Sequence, residues 1–345
     1  MGCGLIGADI AIDLGTAAIK FYLQGKGLVI NEPAVVAVNI KSGQIIAVGK
    51  KAYSMVGKTS EKVAVVGPMR RGVISDFAMA EYLIQYYLNK VGGSKLFMPR
   101  VVVSVPCEIT EVEKRAVVDA VSSAGVRKVC LLQEPVAAAM GAGIDIAAPR
   151  GSLVVDVGAG TTDMAVISLS GISSSRTVQL AGDNFDDEIM KYVRRKHNLI
   201  IGKKMAEQAK VAIGCVYPRK QKTVYRMKGS HSKTGMPHWA DVTSDDMLAA
   251  LLRSSLRLIR NMQGVLEQTP PELLHDIYED GIVLTGASSL LYGFDKLVEK
   301  KMKLPVRIAY DADICVALGA GKALEFIDKM EHVSYGMLNP LSVAY

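Results

Sequence analysis

Short aliphatic runs alternate along the chain with longer segments in which apolar residues recur at helical spacing. Six runs, predominantly β-branched or aliphatic, are typical of buried strands; they occupy residues 8–14, 101–105, 129–132, 153–157, 164–169 and 282–285. Seven segments show the helical pattern; they occupy residues 80–91, 110–125, 135–143, 186–196, 204–214, 244–266 and 317–330. Thr110 and Glu113 form a capping box at the start of the second of these segments. The alternation predicts an α/β protein with helices packed on mixed sheets.

One strand pattern occurs twice. Residues 10–16 read Ile-Ala-Ile-Asp-Leu-Gly-Thr, and residues 153–163 read Leu-Val-Val-Asp-Val-Gly-Ala-Gly-Thr-Thr-Asp. In both copies an aliphatic strand ends in Asp and is followed by a Gly-containing turn with Thr and a second aliphatic run. Asp13 and Asp156 lie 143 residues apart, about one domain length. The repeat predicts two similar lobes facing each other across a cleft; a chance similarity between two buried strands is the alternative.

The two turns have the chemistry of a phosphate site. Small residues leave backbone N–H groups open to phosphate oxygens, and the Thr hydroxyls add donors. The Asp at each strand end is suited to hold Mg²⁺ through water. A single Asp-x-Gly-x-Thr is weak evidence because ordinary turns use these residues, whereas a pair at domain spacing indicates a clamp on the β- and γ-phosphates of a nucleotide.

Two further segments add candidate chemistry. In residues 131–141 a strand leads to Glu134, directly before Pro135 and an Ala-rich helix. A carboxylate at that point is placed to orient or deprotonate a water that attacks a γ-phosphate; the alternative is a carboxylate that only stabilises the helix N-terminus. Residues 282–290 run from a strand into a turn of small residues, which lets the backbone approach an adenine ring or an α-phosphate, although ordinary strand–helix connections show the same pattern.

Composition and charge limit the number of domains and the kinds of partner that the chain can have. The 345 residues favour roughly two domains, and 50% hydrophobic with 22% charged residues argues against long disorder. Residues 189–235 contain thirteen Lys and Arg but one acid, Glu207, a net charge of +12 within a chain total of +7, so the remaining residues sum to −5. This segment is interpreted as a solvated basic face or as a docking surface for acidic lipid or an acidic protein. It lacks the features of nucleic-acid binders.

Cysteines and the N-terminus indicate the compartment. The five cysteines are widely spaced with no C-x-x-C pair, a pattern of reduced thiols and not of a disulfide frame or zinc site. No apolar run reaches about 18 residues, the N-terminus lacks a basic n-region, and Ile6 stands where a myristoylation signal requires Ser or Thr. We therefore expect an intracellular protein, soluble or bound at most to a membrane surface.

The two repeated turns and the two further segments, in this order and spacing, resemble the actin-like ATPase superfamily of actin, sugar kinases and large heat-shock chaperones. They lie at residues 10–16, 131–141, 153–163 and 282–290. The sequence between these segments resembles the bacterial cell-shape proteins of the MreB/Mbl family, and the chain resembles a divergent paralogue within it. Six strings carry this resemblance, at residues 25–33, 68–77, 109–113, 181–183, 269–273 and 316–324. The resemblance extends from about residue 8 to residue 324, and the last twenty or so residues have no recognised counterpart.

The resemblance implies an α/β actin-like ATPase fold, in which two lobes of duplicated mixed-sheet core surround a nucleotide cleft and each lobe carries a small subdomain. Subdomain IA is predicted at residues 1–32, 76–145 and 320–345, IB at 33–75, IIA at 146–182 and 246–319, and the basic IIB at 183–245. The implied function is an ATP-dependent, membrane-associated cytoskeletal filament that helps determine bacterial cell shape by organising cell-wall synthesis. A slow ATPase activity would change filament stability.

The resemblance also implies the site residues. The first phosphate loop corresponds to Asp13, Gly15, Thr16 and Ala17, and the second to Asp156, Gly158, Ala159, Gly160, Thr161 and Thr162. Glu134 corresponds to the water-activating carboxylate and Thr161 to the residue that positions this water. Glu207 and Lys210 correspond to ribose and adenine contacts, and Gly286 and Ala287 to the adenine-side loop. The implied cofactors are ATP, with GTP as an alternative, and Mg²⁺ held by Asp13 and Asp156 through water.

The implied partners are further copies in paired protofilaments, the inner face of the cell membrane, cell-wall synthesis and other shape proteins, and MreB paralogues; nucleic acid is not among them. Leu96, Phe97 and Met98 form an apolar tip flanked by glycines and cations, which corresponds to a loop that some MreB proteins insert into the bilayer surface. A tip folded back on its own domain is the alternative. The expected location is cytoplasmic and peripheral to the membrane.

Several positions depart from the family pattern. Ala18 and Ile19 replace Asn-Thr beside the γ-phosphate, Ala159 replaces Gly, Asp163 replaces Glu, and Gly286-Ala287-Ser288 replaces Gly-Gly-Gly. A Cβ in such turns costs little where φ is negative and more where it is positive. The departures leave open a hydrolysis-weak structural subunit that copolymerises with an active paralogue. A small-molecule kinase on the same fold is the remaining alternative, although no Asp presents itself as a base for a sugar hydroxyl.

Overall fold

The structure is a computed structural model, and it describes residues 9–91 and 98–330. Its strands are β1 (Ile10–Leu14), β2 (Ala18–Leu23), β3 (Gly27–Pro33), β4 (Val36–Asn39), β5 (Ile45–Val48), β6 (Val63–Val66), β7 (Met69–Arg70), β8 (Val73–Ile74), β9 (Arg100–Val105), β10 (Lys128–Gln133), β11 (Ser152–Val157), β12 (Thr162–Ser168), β13 (Gly171–Val178), β14 (Leu199–Ile200), β15 (Val224–His231), β16 (Pro237–Thr243), β17 (Ile282–Thr285) and β18 (Val306–Ile308). Its α-helices are α1 (Lys50–Ser54), α2 (Phe77–Val91), α3 (Glu111–Ser122), α4 (Glu134–Gly141), α5 (Gly182–His197), α6 (Lys203–Ile213), α7 (Ser244–Glu267), α8 (Pro271–Asp280), α9 (Phe294–Met302) and α10 (Cys315–Ala323).

Strand β1 is the centre of a five-stranded sheet in the order β10-β9-β1-β2-β3. It is antiparallel to β2 and parallel to β9. A second five-stranded sheet, in the order β13-β12-β11-β17-β18, repeats this arrangement around β11. Each sheet has two parallel strands on one side of its centre and an antiparallel pair on the other. The sheet topology therefore confirms the duplication that the repeated strand pattern predicts.

Smaller sheets are inserted into both halves. The sheet β5-β4-β6 and the hairpin β7-β8 lie between β3 and α2 in the chain, and the sheet β14-β15-β16 lies between α5 and α7. The hairpin β7-β8 turns through Arg71 and Gly72, whose φ angles are 53° and 79°. Two consecutive positive φ angles are what a tight two-residue hairpin requires, and Gly72 adopts this conformation without a Cβ penalty.

Three hydrophobic clusters hold the fold together. One lies around β1, β9 and α2, and one lies around β11, β12, α5 and α7 and reaches under the sheet β14-β15-β16. The third joins the two large sheets and is built on α4 and α10. Its small side chains, among them Ala137, Ala138 and Ala320, let these two helices approach closely. Because this cluster draws on both sheets, it fixes the floor of the cleft between the lobes.

The crossing of α4 and α10 depends on glycine. A Cβ on Gly319 would lie 1.7 Å from the Ala137 carbonyl oxygen, and a Cβ on Gly141 would lie 2.0 Å from the Cys315 carbonyl oxygen. Gly319→Ala is therefore expected to push the helix backbones apart and to destabilise the protein by about 3 kcal/mol or more. Chemical denaturation measures this. The control is Gly202→Ala, since a Cβ at Gly202 meets nothing within 4 Å; equal midpoints for the two variants would contradict the argument.

The sequence predictions agree with most buried elements. The capping box is confirmed: the Thr110 hydroxyl accepts from the Glu113 N–H, and the Glu113 carboxylate accepts from the Thr110 N–H. The predicted helix at 317–330 is wrong in its second half, because α10 ends at Ala323 and a 3-10 turn follows at Leu324–Phe326.

Within the described ranges, none of the helices combines the length and the apolar character needed to span a membrane.

Candidate functional site

The two repeated turns face one cavity. Residues 15–17 connect β1 to β2, and residues 158–161 connect β11 to β12. A cavity of about 180 Å³ lies between them. Most of the predicted phosphate-site and catalytic residues line it, namely Asp13, Gly15, Thr16, Ala17, Glu134, Asp156, Gly158, Ala159, Gly160, Thr161, Gly286 and Ala287. The structure thus brings together residues that are far apart in the chain.

The loops approach each other closely. A Cβ on Gly160 would lie 2.4 Å from Thr16 Oγ1 and 2.9 Å from the Arg71 Cα, so this position requires glycine. The Gly72 N–H donates to Thr16 Oγ1 at 3.0 Å. Because a hydroxyl can accept and donate at once, the Thr16 proton stays available to a ligand. The tip of the hairpin β7-β8 therefore closes the same cavity from a third side.

Each loop begins beside a buried carboxylate. Asp13 accepts a hydrogen bond from Lys20 Nζ at 2.7 Å, and Asp156 accepts one from the Thr285 hydroxyl at 2.9 Å. The pKa of Asp156 is raised to about 7, because burial, together with the charges of Asp163 and Asp13, outweighs the hydrogen bond from Thr285 and the charge of Lys20. Burial lowers the pKa of Lys20, but Asp13 more than offsets this, so the pKa of Lys20 is raised overall. Lys20 therefore stays cationic among these carboxylates.

Glu134 is the first residue of α4, and its side chain lines the cavity. Its pKa is raised well above the ordinary value, first by burial and then by the negative charges of Asp163, Asp156 and Asp13. Asp163 accepts hydrogen bonds from the Thr177 hydroxyl at 2.5 Å and from the Cys107 N–H at 3.1 Å. A raised pKa makes a carboxylate a stronger base, so Glu134 is suited to accept a proton from a water in this cavity.

A second cavity of about 530 Å³ adjoins the first and shares Ala17, Ala159 and Ala287 with it. Both Glu207 and Lys210 line this second cavity. Their side chains also have protein partners. The Tyr53 hydroxyl donates to Glu207 from the other side of the cleft. The pKa of Tyr53 is raised, first by burial and then by the Glu207 carboxylate.

Lys210 lies deeper in the second cavity. Its Nζ lies 2.9 Å from Asp186 Oδ1 and 2.9 Å from the Gly182 carbonyl oxygen. The pKa of Asp186 is raised to about 6, because burial, together with the charges of Glu207 and Asp183, outweighs the lowering by Lys210. The two cavities together form one continuous cleft with carboxylates and a lysine at each end.

The altered loop residues fit without backbone strain. Six non-glycine residues of the described ranges have a positive φ, and Ala159, Ala287 and Ser288 are not among them. The Cβ atoms that these residues add therefore carry no left-handed penalty. The Ser288 hydroxyl also donates to the Gly158 carbonyl oxygen at 2.7 Å, which ties the adenine-side turn to the second phosphate loop.

Two predicted positions, Thr162 and Met98, line neither cavity. Thr162 is fully buried, and its hydroxyl donates to the Leu180 carbonyl oxygen at 2.7 Å, so this side chain stabilises the loop from behind. Met98 is exposed. Leu96 and Phe97 lie outside the described residues, and the membrane contact of this tip stays a prediction.

The cleft fits a magnesium nucleotide. The small residues Gly15, Ala17, Gly158 and Ala159 line the smaller cavity, and Lys20 places a buried cation in it. The described residues contain no group of three or more His, Cys, Asp or Glu that could hold a metal ion by itself. Two carboxylates together with substrate phosphates and water are the ligand set that Mg²⁺ ordinarily takes, and Asp13 and Asp156 supply that pair.

Lys20 and Gly72 are among the cavity-lining residues that sequence reasoning missed. Lys20 lies directly opposite Asp13 in the register of β1 and β2, so a hairpin prediction for residues 10–23 would have placed the two side chains together. Gly72 follows Arg71 between Met69-Arg70 and the apolar pair Val73-Ile74, and a glycine in the second position of a two-residue turn is a hairpin signal. In the second half of the molecule the position equivalent to Lys20 is Asp163, which lies opposite Asp156.

The duplicated sheets and the two loops that face one cleft define the chain as a two-lobed protein of the actin-like class. The chain belongs to the MreB/Mbl family, since the family model described as MreB/Mbl protein matches residues 7–332. The cell shape-determining protein Mbl of Bacillus cereus is 42% identical over 323 residues, covering 93% of this chain and 97% of the relative. The cell shape-determining protein MreB of Escherichia coli is 41% identical over 331 residues, covering 94% and 95%.

Solved structures agree with this assignment. The crystal structure of MreB 5 of Spiroplasma citri bound to AMPPNP superposes with a TM-score of 0.90 at 36% identity and covers 93% of this chain and 97% of its own. A double helical filament of MamK has a TM-score of 0.80 at 20% identity, covering 92% and 98%. The second likeness concerns the fold alone.

Proposed function

We propose that this chain binds ATP with Mg²⁺ in its cleft and that nucleotide binding promotes assembly into filaments; GTP is the alternative nucleotide. The observation that carries the proposal is the pair of loops at residues 15–17 and 158–161 facing one cavity, with Asp13 and Asp156 at their bases. The Spiroplasma citri relatives bound to AMPPNP and to ADP support it. The MamK filament supports self-association on this fold.

The side chains have separate roles in this proposal. Backbone N–H groups of both loops, the Thr16 hydroxyl and Lys20 bind the phosphates. Asp13 and Asp156 hold the magnesium ion through water, and this ion offsets negative charge on the phosphates. Glu134 accepts a proton from the attacking water, which Thr161 helps to orient. The larger cavity, with Glu207 and Lys210, takes the base and ribose.

The cellular role follows from the family. We propose a cytoskeletal filament, peripheral at the inner face of the cell membrane, that helps determine cell shape by organising cell-wall synthesis. Hydrolysis of ATP to ADP and phosphate is slow and changes filament stability. Paired protofilaments, cell-wall synthesis proteins and MreB paralogues are the proposed partners. The names of the Mbl and MreB relatives as cell shape-determining proteins support this role.

The test is sedimentation in parallel with phosphate release. With ATP and Mg²⁺ we expect most of the protein to pellet at high speed, and we expect less with ADP or without nucleotide, because bound triphosphate favours the closed cleft. Addition of excess EDTA reverses the ATP effect if Asp13 and Asp156 act through Mg²⁺. A protein that stays in the supernatant with every nucleotide would refute the filament proposal.

A hydrolysis-weak subunit that copolymerises with an active paralogue is the second candidate. The Ile19 side chain is fully buried, and Ala18 lines the smaller cavity with a methyl group, so neither side chain donates a hydrogen bond to a phosphate. Polymerisation with ATP but without phosphate release supports this second candidate over the first.

A further inference from the structure

Among residues 9–91 and 98–330, the hydrophobic core covers one face of the sheet β14-β15-β16 and leaves the other exposed. Leu199, Met227 and Val242 point into the hydrophobic core. Successive residues of a strand point to opposite sides, so the residues between them face outward. The core cluster thus accounts for one side of this sheet and leaves the other open.

The open side combines apolar and cationic groups. It carries Ile200, Val224, Arg226, Lys228 and Trp239, which we call the Trp239 face. The strand register places Lys228 directly opposite Trp239 and Arg226 directly opposite Asp241. Trp239 is 61% exposed, and it is the single tryptophan of the chain. A large exposed aromatic residue beside a lysine is a feature of binding surfaces.

The turn beside this face extends it. Met236 follows in the loop between β15 and β16 and is 67% exposed, and Lys233 lies in the same loop. Lys228 and Lys233 have no ion-pair partner within the ranges 9–91 and 98–330, whereas the Arg226 guanidinium donates to Asp241 at 2.8 Å and 3.0 Å. The Trp239 face therefore carries free positive charge around an apolar centre.

We propose that the Trp239 face docks on an anionic lipid bilayer. Tryptophan favours the membrane interface, where its ring lies among headgroups and its N–H stays hydrated. Apolar side chains such as Ile200 and Val224 gain from shallow insertion. Each Lys or Arg held near an anionic leaflet contributes about fivefold in affinity. The proposal names the docking site for the membrane association proposed above and in that respect rests on it.

The charge distribution favours lipid over a second copy of the chain. Residues 189–235 have a net charge of +12, while the remaining residues sum to only −5. A copy of the chain therefore offers a diffuse acidic surface, whereas an anionic bilayer offers a dense and extended one. The exposed apolar side chains around Trp239 also suit the boundary between headgroups and acyl chains better than a charged protein surface.

The single tryptophan makes the test site-specific. The full-length protein is titrated without nucleotide with vesicles of phosphatidylcholine mixed with phosphatidylglycerol while its tryptophan emission is recorded. We expect the emission maximum to shift to shorter wavelength and brominated acyl chains to quench the emission. Vesicles of phosphatidylcholine alone leave the emission unchanged, and added salt reverses the shift because it screens the lysines.

Two charge-reversal variants distinguish binding through the Trp239 face from attraction by the overall charge of the protein. Lys228→Glu is expected to weaken binding to the anionic vesicles about tenfold. Lys301→Glu, at an exposed position of α9, changes the net charge equally and is expected to leave binding within twofold. Co-sedimentation with vesicles measures both. Equal loss in the two variants overturns the proposal, since attraction would then depend on charge alone.

The remaining outcomes are equally decisive. Vesicle binding without a shift in tryptophan emission overturns the proposal and assigns docking to another segment, such as residues 96–98. A shift that appears on assembly without vesicles assigns the Trp239 face to contacts between copies, which also overturns it. High-speed sedimentation without vesicles reports separately on filament formation, so failure of the filament proposal leaves the lipid result readable.

Discussion

Glu134→Ala is expected to reduce phosphate release about 100-fold or more while nucleotide binding persists. Glu134 lines the smaller cavity as the first residue of α4, and a positioned general base typically contributes at least this factor. The variant also removes one of the negative charges that crowd the cavity beside Asp13 and Asp156. Affinity for the anionic nucleotide should therefore stay the same or rise slightly. Single-turnover phosphate release and fluorescent-nucleotide binding measure the two effects.

The pH profile gives an independent readout of Glu134. Burial, followed by the charges of Asp163, Asp156 and Asp13, raises the pKa of this carboxyl group well above 4.5. Because the base acts as the carboxylate, phosphate release should increase as the pH rises through that pKa, and Glu134→Ala should flatten the profile. Glu108→Gln, at an exposed carboxylate that lines neither cavity, is the control. Undiminished turnover in Glu134→Ala would falsify the assigned role.

The parts of the fold that the sequence predicts best are the strands buried on both faces. Strand β17 has its predicted bounds, and β9, β10 and β11 each differ by one or two residues, because continuous aliphatic runs leave little ambiguity. The antiparallel strands at the sheet edges were not predicted. In β13 only Ser174 is buried, and small or polar residues occupy most other positions, so the strand has little hydrophobic signal.

The candidate site also has parts that the sequence predicts and parts that it does not. The repeated Asp-Gly-Thr pattern predicts that both loops meet at one cleft, and the structure brings them together. The role of Lys20 could not be predicted from the pattern, because its proximity to Asp13 depends on the register between β1 and β2. The contact between Tyr53 and Glu207 joins residues that are 154 positions apart, and such a contact exists only once the lobes have closed on each other. Local sequence therefore predicts the loops, and tertiary packing determines which other side chains lie beside them.

Lys20 lines the smaller cavity as a buried cation, and if this cavity holds the phosphates as proposed, Lys20→Met is expected to weaken nucleotide binding about 100-fold. Its Nζ lies 2.7 Å from Asp13 Oδ2, and the side chain is largely buried. A hydrogen bond between a buried charge and a phosphate is worth about 1.5–3 kcal/mol, and about 2.7 kcal/mol corresponds to 100-fold in affinity. Fluorescent-nucleotide titration measures the loss.

Lys20→Met has a second consequence that separates binding from folding. Without its partner, Asp13 becomes a buried carboxylate among Asp156 and Glu134, so the nucleotide-free variant should also unfold at a lower denaturant concentration. Lys20→Arg retains the charge and should recover part of both losses, whereas Lys26→Met, in the exposed turn after β2, should change neither. A folded Lys20→Met variant with unchanged nucleotide affinity would show that Lys20 serves only Asp13, and the phosphate contacts would then fall to the loop backbones and Thr16 alone.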